Sequence, residues 1–152
     1  MEQKGTNPYH FALSCIKGKW KMSLLHHIHY HGKIRFNQTL NRFPISEKVL
    51  SQQLKELISD GLIQRIQYNT IPLKVEYTLT QAGEDLIPAL DILYVWSMRR
   101  MSELGIEIDP DNFDVHADRK YIEQLEDIFR VYERQQELLQ YEQQKNEDEF
   151  NK

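Results

Sequence analysis

Lys48, Ser51, Gln52 and Lys55 lie among apolar residues, Leu50, Leu54, Leu57 and Ile58, that recur at helical spacing. On a helix this pattern puts the apolar side chains on one face and ammonium, hydroxyl and amide groups on the other. Those polar groups are the ones that reach phosphate oxygens and base edges. Lysine neutralises a phosphate, and glutamine can pair with adenine through two hydrogen bonds. Few carboxylates interrupt the outward face. The chemistry on offer is recognition of an anion and of base edges, not bond cleavage.

No catalytic constellation competes with this reading. The chain has no phosphate-binding glycine loop, no dinucleotide fingerprint and no nucleophile elbow. Its carboxylates concentrate in the last third, at the spacing of a solvated helix face. No catalytic residue and no cofactor is expected. His26, His27, His29 and His31 gather at spacings that can serve a metal, but no cysteine or nearby carboxylate completes a site within that helix. The plainer reading is that they complement a helix C-terminus and face solvent, so no metal is expected either.

The polar face needs a scaffold, and the flanking sequence supplies one. Ser46 is a good N-cap and Gly61 a good residue just past the helix end. Two strand-like runs follow, Leu62–Tyr68 and Lys74–Leu79, joined by Asn69–Leu73. The second alternates, with Val75, Tyr77 and Leu79 on one face and Lys74, Glu76 and Thr78 on the other. A helix followed by a β-ribbon is the order of a winged helix. Before it, the spacing predicts helices over Pro8–Ile16, Trp20–Tyr30 and Arg35–Asn41, with a very short strand at Ile34–Arg35. After it, Thr80 caps a long helix, Gln81 to about Ser102. Its apolar face holds Ala82, Leu86, Ala89, Leu90, Leu93, Trp96 and Met101, and Ile87, Ile92, Tyr94, Val95 and Met98 widen it. So much apolar girth calls for cover on more than one side, which a second subunit would provide.

Gly105 to His116 reads as a linker around Asp109-Pro110-Asp111-Asn112. Asp118 to about Tyr141 reads as a further helix with the stripe Ile122, Leu125, Ile128, Phe129 and Tyr132, and the polar end from Gln143 is expected to fray. The fold class is therefore mainly α with a small β-wing: a winged helix-turn-helix domain plus a C-terminal helical extension. The domains expected are 8–102 for DNA binding and dimerisation, 103–117 as linker, and 118–152 as an acidic extension that reinforces the dimer.

Charge follows the same division. The 152 residues carry a net −4, which is the wrong sign for phosphate contact. Residues 1–101, however, hold 13 Lys and Arg against 8 Asp and Glu, and residues 102–152 hold 6 against 15. The first segment is +5 and the second −9, so the two have different jobs. No run is long and apolar enough to span a membrane, and the first residues lack the apolar stretch of a signal peptide, so a cytoplasmic protein is expected. The single cysteine, Cys15, excludes an intrachain disulfide.

An ordered set of short motifs adds to this. Gly18-Lys19-Trp20 is followed by Arg35-Phe36, Ile45-Ser46 through Leu50, and Leu54-Lys55-Glu56-Leu57 with Asp60-Gly61-Leu62. Then come Pro72 before Val75-Glu76-Tyr77, Leu79-Thr80 with Gly83, and Trp96. From about Pro8 to Met101 the chain resembles the HxlR-type winged helix-turn-helix regulators, relatives of the MarR group in bacteria. The resemblance implies a dimeric, cytoplasmic transcriptional regulator that binds double-stranded DNA and has no catalytic activity. A two-fold dimer makes a near-palindromic operator the expectation, with a repressor role and an unknown small-molecule effector as further expectations. The resemblance also implies that the helix Ser46–Asp60 enters the major groove and that the wing touches the phosphate backbone or the minor groove. The DNA contacts expected are Arg35, Ser46, Lys48, Ser51, Gln52, Lys55 and Lys74. The dimer contacts expected are Phe11, Leu86, Leu90, Leu93 and Trp96. A redox-sensing cysteine that some members carry would fall at Asn7, where this chain has none, and Cys15 is expected as a small core residue. The alternative is a winged helix used only to bind protein.

Overall fold

The computed structural model describes residues 5–108 and 119–151. Eight elements follow in order: α1 Pro8–Ile16, α2 Lys21–His31, α3 Phe36–Arg42, α4 Glu47–Ser59, β1 Ile63–Tyr68, β2 Lys74–Leu79, α5 Gln81–Glu103 and α6 Arg119–Phe150. The strands pair antiparallel from Ile63 opposite Leu79 to Tyr68 opposite Lys74. Ile34 adds a single bridge to Tyr77, with N–H···O distances of 3.0 and 2.9 Å, where the short strand was expected. The helices with a small antiparallel wing give the winged helix-turn-helix class. Among the described residues no helix is long and apolar enough to cross a membrane.

The described residues form two compact units. One runs to Leu90, and the other holds Asp91–Ile108 and α6. This division falls inside α5, earlier than the boundary expected near residue 102, and most of the expected linker lies outside the described residues. The core of the first unit comes from facing stripes: Leu24, Leu25 and Ile28 of α2, Leu50, Leu54 and Leu57 of α4, and Ile34, Phe43, Leu62, Ile63, Ile87 and Leu90 around them. Cys15 belongs to this core, as expected. Asn7 caps α1 by accepting a hydrogen bond from the Tyr9 N–H at 2.9 Å.

α5 buries only part of its apolar girth. Its buried side carries Gly83, Ile87, Leu90 and Val95, while Ala82, Ala89, Leu93 and Trp96 are exposed. A broad apolar face fixes the rotation loosely, and one close approach settles it. A Cβ placed on Gly83 would lie 2.2 Å from the Leu62 carbonyl oxygen, so only glycine lets the helix start sit there. Thr80 reinforces the seat: its Oγ1 accepts from the Gly83 N–H at 3.2 Å and donates to the Gly61 carbonyl.

In the second unit Arg99 of α5 pairs with Glu133 of α6 at 2.7 Å and stacks over the Phe129 ring at 4.3 Å. These contacts bring α6 alongside the second half of α5. Leu125 is buried, whereas Ile128 and Tyr132 remain exposed, and the Ile122 side chain lies outside the described residues. α6 continues to Phe150, past the expected fraying point. The Gln- and Glu-rich end consists of good helix formers, and Gln144 adds a hydrogen bond to Asp148 one turn on at 3.2 Å.

The histidines of α2 are not the solvated set expected. His26 is buried and His27 is half-buried, edge-on to Phe43 at 5.0 Å and to His31 at 4.5 Å. His29 reaches Glu84 at 3.0 Å. Burial, then the charges of His31, Arg42 and His26, depress the His27 pKa from 6.5 to about 4. Between those values the unfolded chain takes up a proton that the folded chain refuses. Stability therefore falls as pH drops through that window, and this loss is complete below pH 4. With the ring partly solvated, the effect should be roughly 1–2 kcal/mol. Urea melts at pH 7 and pH 4.5 should show a smaller difference for His27→Gln than for wild type. Equal differences would place the linkage elsewhere.

Candidate nucleic-acid interface

α4 is closed at both ends by its own sequence. The Ser46 Oγ accepts from the Val49 N–H at 3.2 Å. At the far end Gly61, at φ +72°, lets its N–H reach the Ile58 carbonyl and the Leu62 N–H reach that of Leu57, both at 3.0 Å. This paired closure satisfies carbonyls that a helix end otherwise leaves open. Burial of Leu50, Leu54 and Leu57 then fixes which side faces out. Lys48, Gln52 and Lys55 are exposed and Ser51 is half-buried. Ile58 was expected on the inner face but stands at its edge, 36% exposed, because it falls eight residues after Leu50, beyond the centre of the stripe.

Among the described residues neither Lys48 nor Lys55 makes an ion pair. Gln52 is anchored instead. Its Nε2 donates to Glu56 Oε1 at 3.0 Å, and Glu56 Oε2 pairs with Lys21 Nζ of α2 at 2.7 Å. The hydrogen bonds from Gln52 and Lys21 hold the Glu56 carboxyl below the usual carboxylate range. The Gln52 carbonyl oxygen and second N–H remain for another partner. Lys21 was not singled out in the sequence. An ammonium in the first turn of a helix opposes the dipole, and only a long-range partner explains it.

Arg35 and Lys74, far apart in the chain, are brought together. Arg35 Nη2, Lys74 Nζ and Lys33 Nζ lie 3.5, 3.1 and 3.3 Å from one oxygen, Oε1 of Glu76. The Tyr68 hydroxyl donates to the other oxygen at 3.3 Å, and Lys74 Nζ sits 4.6 Å from the Tyr68 ring centroid. Alternation grouped Glu76 with Lys74 and Thr78 on one face of the strand, and the structure buries it there. Its side chain is 1% exposed, against 55%, 44% and 34% for Lys33, Arg35 and Lys74. Burial raises the Glu76 pKa, but the hydrogen bonds and charges of Lys74 and Lys33 outweigh it and hold the carboxyl below its ordinary range. A groove of about 630 Å³ adjoins the cluster, lined by Arg35, Asn37 and Gln38 and by Thr70, Ile71 and Lys74 of the wing.

Residues 15–104 match the HxlR-like helix-turn-helix family. The chain belongs to that family. Among its relatives, the HTH-type transcriptional regulator YdzF of Bacillus subtilis is 42% identical over 92 residues, covering 60% of this chain and 84% of that one. YtcD of the same organism is 42% identical over 106 residues, covering 68% and 83%. Among solved structures, the redox regulator HypR in its reduced form superposes with a TM-score of 0.61 at 38% identity, over 65% of this chain and 98% of that one. The crystal structure of YtcD gives 0.59 at 41% identity, over 64% and 99%. Membership of the HxlR-like family makes the chain a helix-turn-helix transcriptional regulator, and its relatives are regulators, not enzymes.

The residues expected at a dimer contact are divided by the structure. Leu90 is taken into the core of its own unit and Leu86 packs against that core. Phe11, Leu93 and Trp96 are 64%, 43% and 55% exposed. Tyr9 and Leu13, not singled out before, are also exposed on α1.

Proposed function

We propose that this HxlR-like protein is a cytoplasmic, sequence-specific repressor that binds a near-palindromic operator as a homodimer. α4 enters the major groove with Lys48, Ser51, Gln52 and Lys55, with Ser46 at its start, while Arg35 and Lys74 hold the flanking backbone. Residues 8–102 bind DNA and dimerise, 103–117 link, and 118–152 reinforce the dimer. Exposed Ile128, Val131 and Tyr132 on α6 support the last role. An effector, where one acts, shifts the dimer between binding and non-binding states. The observation that carries the reading is the outer face of α4, where two exposed lysines without an ion-pair partner among the described residues flank an anchored glutamine.

An anchored amide presents its free oxygen and N–H with little rotamer entropy left to lose, which suits pairing with one base. Gln52→Ala should therefore cost roughly 1–3 kcal/mol on a duplex from upstream of the protein's own gene, and little on a random duplex. Fluorescence anisotropy with both duplexes measures this. Equal losses on the two remove Gln52 from base reading. A wild type that does not distinguish the duplexes at all favours the protein-interaction module.

A further inference from the structure

A carboxylate at a surface that meets phosphate should oppose binding, and Glu76 is such a carboxylate. Its setting argues the reverse. One oxygen gathers three cationic heads from three separate places: Lys33 after α2, Arg35 at the start of α3 and Lys74 on the wing. Each cation belongs to a half-exposed, flexible side chain, and the anion that collects them is withdrawn from water. The cluster keeps two net positive charges. Without Glu76, mutual repulsion would drive three long side chains apart into solvent. We propose that Glu76 is a positioning residue for phosphate: it pre-assembles Lys33, Arg35 and Lys74 into one doubly positive site for a DNA phosphodiester lying in the adjoining groove. The inference rests on the DNA-binding reading above and adds Lys33 and Glu76 to it.

Two further features fit a built site. Tyr68 holds the second carboxylate oxygen through its hydroxyl and offers its ring to Lys74, so both ends of that ion pair are fixed by one side chain. Glu76 is also the most buried residue of β2, so the anchor moves with the wing rather than with solvent. Pre-assembly matters because a phosphate that meets fixed cations does not have to order them.

The test turns on a sign. Glu76→Gln keeps the shape and makes the protein one charge more positive. If Glu76 only repels phosphate, the variant binds DNA more tightly with a steeper salt dependence. If it positions the cluster, the variant binds a random-sequence duplex about 5- to 20-fold more weakly near 0.1 M salt, and the slope of log K against log salt becomes shallower by about one to two. Lys74→Ala should then flatten the slope by about one in wild type, and by less than half of that in the Glu76→Gln background. Equal or tighter binding by Glu76→Gln, with its slope unchanged or steeper, overturns the proposal. A wild type whose binding to the duplex ignores salt overturns the DNA-binding reading itself, a separable result. Should glutamine at this buried position abolish the cooperative thermal transition, Tyr68→Phe removes one hydrogen bond from Glu76 and no charge. It should weaken duplex binding about two- to threefold, and unchanged affinity in a folded Tyr68→Phe protein also counts against the proposal.

Discussion

The double replacement Leu93→Glu with Trp96→Glu is expected to give a folded monomer that has lost at least about 100-fold in operator affinity. Two half-sites bound by linked domains gain about 10²–10⁴ over one half-site alone, and a monomer forfeits that gain. Both side chains are large, apolar and about half exposed on the second half of α5. On α1, Tyr9, Phe11 and Leu13 are 81%, 64% and 57% exposed. A protein seldom leaves large apolar side chains such as these in water, and a two-fold partner is the cover the proposed homodimer would supply. Leu90 is the wrong residue for this experiment. At 6% exposure it belongs to the core, and a charge there would unfold the unit instead of parting two of them. Sedimentation of wild type and variant at micromolar concentration decides the matter, with anisotropy on the operator as the second readout. A monomeric wild type, or a variant that remains dimeric, sinks the assignment.

Sequence and structure agree most closely where one pattern is local and repeated. α4 was legible because Leu50, Leu54 and Leu57 set its inner face while Ser46 and Gly61 closed its ends, and all of that information lies within 16 residues. The wing was legible for the same reason, with strand composition on both sides of a short loop. Where the structure differs, the deciding partner is distant in sequence. Alternation gave Glu76 a face shared with Lys74 and Thr78 but not its burial, because a period of two cannot register cations arriving from Lys33 and Arg35. His26 is buried although a histidine-rich helix end suggested solvent. Lys21 gave no signal at all, because its meaning depends on Glu56. The site shows the same pattern. The α4 face was readable residue by residue, but the convergence of Arg35 with Lys74 and the anchoring of Gln52 are tertiary facts.

Gly83→Ala reverses the usual sign of a helix substitution and tests the seat of α5 directly. In an open helix position alanine is more favourable than glycine by about 1 kcal/mol. Here the added methyl meets the Leu62 carbonyl oxygen at 2.2 Å, and that atom is backbone at the junction of α4 and β1. Neither side can yield by a side-chain rotation. The helix start must lift, and lifting it breaks the Thr80 contacts to Gly61 and Gly83 and loosens Ile87 and Leu90 from the core. Overpacking of this kind costs about 1–3 kcal/mol and occasionally more, and the lost cap adds roughly another 1 kcal/mol. A total of about 2–4 kcal/mol is a large share of the 5–15 kcal/mol typical of a domain. Ala82→Gly supplies the control one residue earlier, where the side chain is exposed and the cost should be near 0.5–1 kcal/mol by propensity alone. Urea denaturation should therefore rank wild type above Ala82→Gly, and Ala82→Gly above Gly83→Ala. A stabilised Gly83→Ala protein would mean that α5 does not start against the Leu62 carbonyl.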